Sequence, residues 1–89
     1  QSFKCEQEAL KMANDVRYGL SASIWTSDSS RSHRFAAGLK AGIIWVNTWL
    51  KRDLKTPFGG YKASGVGREG GHYSIDFYTE SKNICIAIK

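Results

Sequence analysis

A chain of 89 residues with 42% hydrophobic and 24% charged residues has the make-up of a folded globular piece, which excludes a disordered tail and a collagen-like repeat. Its formal charge of +5 comes from thirteen Lys and Arg scattered from Lys4 to Lys89 among eight acids, without a basic run, so no nucleic-acid partner is expected. No apolar run approaches membrane-spanning length, and Cys5 and Cys85 stand far apart with no CxxC or paired-His spacing; the expectation is no membrane partner, no metal and a reduced, cytoplasmic compartment.

Glu6 to Asn14 reads as a helix, with Glu6 and Glu8 favoured by the dipole in its first turn and Ala9, Ala13 and Val16 spaced for one face. Tyr18-Gly19 is expected to end it. Leu20, Ala22 and Ile24 alternate with Ser21 and Ser23, the period of a half-buried strand running to Trp25 or Thr26. Asp28 or Ser29 caps a second helix, where Ser32, Phe35, Ala36 and Leu39 fall on one face, and Gly42 stops it. Ile43 to Val46 is a continuous apolar run, the pattern of a strand covered on both faces in a parallel sheet. Strand, helix and strand in that order predict one right-handed βαβ unit and place the chain in the α/β class.

A glycine-rich loop follows, then a short helix over Tyr73 to Phe77. The last segment, Asn83 to Lys89, alternates Ile84, Ile86 and Ile88 against Cys85 and Ala87, and reads as a terminal strand that needs a partner edge. Three Trp, four Tyr and four Phe are many rings for so small a core, so several are expected to stay exposed unless further sequence covers them.

The stretch from Pro57 to Glu69, PFGGYKASGVGRE, is built to special geometry. The pairs Gly59-Gly60 and Gly65, Gly67 let the backbone reach positive φ or press close to a neighbour. Gly65 to Gly70 spell GxGxxG, yet a dinucleotide fingerprint needs a strand directly before it, a helix opening on its glycines and an acid about 20 residues on. The preceding YKAS does not read as a strand and the chain ends too soon for a second βα unit, so no cofactor-binding residue is assigned.

The fixed order of IIWVN (Ile43 to Asn47), Trp49, a variable loop and PFGG-YK-SG-GRE resembles the C-terminal part of the NAD(P)-dependent aldehyde dehydrogenase superfamily. The likeness runs over nearly the whole chain, with Phe3 to Gly19 similar to the helix after that family's Glu-x-Phe-Gly-Pro segment. It implies the tail of an oligomeric enzyme: residues 1–82 as part of the catalytic domain and 83–89 as a strand of the oligomerisation sheet. The family's nucleophilic cysteine, general-base glutamate and dinucleotide-binding half would belong to the remainder, with NAD or NADP bound by the full-length enzyme and none by this piece. Cys5 and Cys85 have no base or oxyanion donor beside them in sequence, and His33 and His72 are isolated, so none is assigned to the chemistry.

The resemblance also implies site residues. Phe58 would line the substrate channel, its alternative being a core residue, and Asn47 and Trp49 would bind substrate at the carboxyl end of a parallel strand, where α/β sheets place ligands. Arg52, in WLKRDLKTPFGG, would clamp a carboxylate with two parallel hydrogen bonds; the alternative is a solvated Arg paired with Asp53. This Trp-Leu-x-Arg-Asp-Leu pattern resembles the branch that oxidises muconic semialdehydes. Glu69 would help relay protons, or else cap the following helix. The functional expectation is oxidation of an aldehyde, a semialdehyde acid, to a carboxylic acid; the alternative is a free-standing, non-catalytic interaction module.

Overall fold

The computed structural model describes residues 1–88. Helix α1 spans Glu6–Asn14, strand β1 Tyr18–Gly19, strand β2 Ser21–Ile24, helix α2 Ser29–Gly38, strand β3 Ile43–Val46, strand β4 Tyr61–Lys62 and helix α3 His72–Tyr78. The strands β2 and β3 pair in parallel from Ser21↔Ile43 to Ile24↔Val46, with α2 between them in sequence. Asp28 caps α2 by accepting from the Arg31 N–H at 2.9 Å, which satisfies a first-turn donor.

Three sequence expectations need correction. Tyr18-Gly19 does not end α1, which stops at Asn14; it forms β1 instead, antiparallel to β4, with Tyr18↔Lys62 and Gly19↔Tyr61. Tyr61-Lys62 is therefore a strand, although too short to leave any periodicity in the sequence. Strand β3 is not covered on both faces: Trp45 is buried, Ile43 and Ile44 are half-buried and Val46 is exposed. Residues 83–88 pair with no strand among the described residues and Cys85 is exposed; Lys89 lies outside the described residues.

Polar ties rather than a large core join the helices. Glu6 accepts from Arg34 at 2.8 to 3.2 Å and from Arg31 at 2.7 Å, which links α1 to α2. Hydrogen bonds from Arg34 and then Arg31 hold its carboxyl down to about 2. At the far end Asn14 donates to the Gly38 carbonyl at 2.9 Å and accepts from the Lys40 N–H at 2.8 Å. The Lys62 ammonium donates to the carbonyls of Asn14 and Val16 at 2.9 and 3.0 Å, placing a cation on the negative end of α1.

Among the described residues only Ala9 and Trp45 are buried apolar side chains. The accessible surface is 7476 Å², against about 5,200 Å² for a compact protein of this mass. Its radius of gyration is 18.4 Å, where about 12 Å is usual for a self-contained domain of this length.

Candidate functional site

The glycine-rich loop is closed by a main-chain clasp. Phe58 and Glu69 exchange both hydrogen bonds, each 2.8 Å, so residues eleven apart in sequence are held side by side. Inside the loop the Arg68 guanidinium donates to the Gly60 carbonyl at 2.9 Å and the Gly67 carbonyl at 2.6 Å, and lies 5.3 Å from the Tyr61 ring centroid. Gly67 has φ +82°, and a methyl there would overlap the Phe77 ring, so both backbone and packing demand glycine. Phe58, Gly60, Gly67, Glu69 and Phe77 border a cleft of about 270 Å³.

Arg52 comes to this clasp from the preceding loop. Asp53 does not pair with it; the Asp53 carboxylate instead accepts from the Lys55 N–H at 2.9 Å and its carbonyl from Thr56, forming a local turn. The turn leaves the Arg52 guanidinium 4.0 Å over the Phe58 ring, within cation–π distance, and 3.8 Å from a Glu69 carboxylate oxygen. Three residues chosen from the sequence, Arg52, Phe58 and Glu69, thus meet at one place. Glu69 does not cap α3, whose N-cap is Gly71; the Ser74 hydroxyl accepts from the Gly70 N–H instead, at 2.7 Å.

Asn47 and Trp49 do not join that group. Asn47, at φ +52°, directs its whole amide to Thr26, accepting from its N–H and donating to its carbonyl, both at 2.8 Å. It locks the carboxyl ends of β2 and β3 together. Trp49 packs edge-on to Trp45 with ring centroids 4.8 Å apart and stays exposed, while the Trp45 indole N–H donates to the Lys51 carbonyl at 2.8 Å. These contacts set the start of the loop that delivers Arg52.

Three positioning residues escaped the sequence analysis: Trp45, Lys62 and Arg68. Each acts on main-chain carbonyls, which no side-chain motif advertises; the one available signal was a lone long cation, Arg68, inside a run of glycines. At the GxGxxG stretch no helix opens on Gly65; the next one begins at His72. Cys5 and Cys85 are exposed, and among the described residues no three His, Cys, Asp or Glu cluster as metal ligands. No helix among them is long and apolar enough to cross a membrane.

Comparison with known proteins adds an independent finding. The profile of the aldehyde dehydrogenase family matches residues 1–84. The chain is 58% identical over 86 residues to a 2-hydroxymuconic semialdehyde dehydrogenase of Pseudomonas sp. strain CF600, covering 97% of this chain and 18% of that protein. It is 55% identical over 86 residues to a 2-aminomuconic 6-semialdehyde dehydrogenase of Pseudomonas sp., with the same 97% and 18% covered. A Bacillus cereus aldehyde dehydrogenase solved as its NAD+ complex superposes with a TM-score of 0.86 at 44% identity, covering 98% of this chain and 18% of that one. The chain therefore spans under a fifth of the length of these relatives.

Proposed function

The chain belongs to the aldehyde dehydrogenase family, and from that membership we propose that it forms the substrate-channel loop of an NAD(P)-dependent enzyme oxidising an aldehyde that carries a distal carboxylate. The observation that carries the reading is the Arg52 guanidinium laid over Phe58 at 4.0 Å, with one long contact to Glu69 and no side-chain hydrogen bond to another of the described residues. The names of the muconic semialdehyde relatives support it, since such substrates are acids.

In this reading Arg52 grips the distal carboxylate and so points the aldehyde down the channel. Phe58 shields one face of the guanidinium from water, which strengthens the charge-assisted bonds. Glu69 holds a proton at its carboxyl oxygen or passes it on, in support of a general base supplied by the remainder of the enzyme. Asn47 and Trp49 fix the entry to the loop, with Trp49 on the channel side. The cysteine nucleophile and the nicotinamide cofactor, which accepts hydride, belong to the remainder as well. The β2–α2–β3 segment is a βαβ unit of the catalytic domain, and Asn83 to Lys89 pairs as a strand with another subunit in a reducing, cytoplasmic setting.

The test is a pair of aldehydes of equal length, one ending in a carboxylate and one in a methyl group, given to the whole enzyme that carries this segment. The expected result is a kcat/KM higher for the acid by at least about tenfold, the discrimination a charged hydrogen-bonding site provides. Preference for the methyl-terminated aldehyde overturns the reading.

A further inference from the structure

Resting on the carboxylate-binding role of Arg52, we propose that Glu69 is an internal competitor for that site: its carboxylate occupies Arg52 when no substrate is bound and is released when a ligand carboxylate takes its place. The geometry fits a displaceable partner. Glu69 approaches Arg52 through one oxygen at 3.8 Å, whereas Glu6, in the same chain, holds Arg31 and Arg34 at 2.7 and 2.8 Å. The Glu69 side chain is 54% exposed, so it has room to swing. Its backbone does not move with it, because both main-chain bonds to Phe58 are short, 2.8 Å each. The carboxylate is therefore tethered beside Arg52 at high local concentration, near enough to rebind whenever the ligand leaves.

A ligand carboxylate wins the contest by geometry. It offers two oxygens to the planar fork in parallel, where Glu69 offers one at long range. The ring of Phe58 closes one face of the guanidinium, so the two carboxylates contend for the same open edge. Displacement frees Glu69 beside the cleft that it borders together with Phe58 and Gly67. Binding of an acidic substrate would in this way ready the supporting acid, and a neutral aldehyde, lacking the carboxylate, would leave Glu69 on Arg52.

The experiment measures adipate, a six-carbon dicarboxylate that cannot react, by titration calorimetry on the whole enzyme carrying this segment. The proteins compared are the parent, Glu69→Gln, Arg52→Ala and the double variant. Removing the competitor should tighten adipate binding about two- to fivefold, the range expected for an exposed ion pair. In the Arg52→Ala background the same Glu69→Gln change should have no effect, since the contested site is gone. If Arg52→Ala weakens adipate but Glu69→Gln leaves its affinity equal or lower, the competition is overturned and the carboxylate role of Arg52 stands. If Arg52→Ala leaves adipate affinity unaltered, both are overturned.

Discussion

Arg68 holds the loop in shape through two carbonyls, Gly60 and Gly67, and no other long side chain among the described residues reaches them. Replacing it with Met keeps the stem and deletes the donors. Losing charge-assisted hydrogen bonds at this half-buried position should lower stability by about 2 kcal/mol, read as a lower urea midpoint for the whole enzyme. Because the Phe58–Glu69 clasp closes the same loop, KM for an acidic aldehyde should rise as well, and Arg68→Lys should restore part of both. An unchanged midpoint would show that the loop is held by its glycines alone. At Gly42 a methyl would overlap the Gly59 carbonyl, so Gly42→Ala must shift the loop away from β3. Phe58, Arg52 and Glu69 were legible in the sequence because ring, fork and acid sit in a recognisable motif. Arg68, Lys62 and Trp45 were not, since their partners are peptide carbonyls, identical at every position.

Between elements, Glu6 ties the start of α1 to α2, while Asn14 holds its far end. The Glu6 carboxyl is held down to about 2 from an ordinary 4.5, by Arg34 and then Arg31. For a depressed carboxylate the stabilising contribution is present above the ordinary value and disappears as pH falls through the lowered one. The melting temperature of the chain should therefore exceed that of Glu6→Gln at pH 5, and the gap should close towards pH 2. A gap that stays constant over that range would mean that the two arginines do not hold the carboxylate in solution. The long elements followed from local chemistry: α1 from its first-turn acids, although of its expected face only Ala9 is buried while Ala13 and Val16 are exposed, α2 from the Asp28 cap, β3 from its apolar run. The two-residue strands β1 and β4 left no pattern to read. At the other end of the chain the Ile84, Ile86, Ile88 alternation is plain, but a strand needs a paired edge, and these residues pair with none among the described residues.

The whole molecule exposes far more apolar surface than a protein of its size retains alone. Trp25 is 69% exposed and Ile86 77%, and the extents are 73 × 26 × 19 Å. Such surface opposes the free-standing module and fits a segment completed by the rest of an enzyme. Sedimentation velocity of the isolated chain should accordingly show self-association; a compact, monodisperse monomer at high concentration would favour the module. The isolated chain should also turn over no aldehyde with NAD or NADP, and nicotinamide reduction above the blank would contradict the division of labour proposed for it. Arg52 is the residue on which recognition of an acidic aldehyde rests, and the most direct measurement is the ratio of kcat/KM for acidic over neutral aldehyde in the whole enzyme, before and after Arg52→Ala. The predicted result is a fall of about ten- to a hundredfold in that ratio, confined to the acid and partly recovered by Arg52→Lys; an equal fall for both aldehydes would contradict it and leave Arg52 a structural residue.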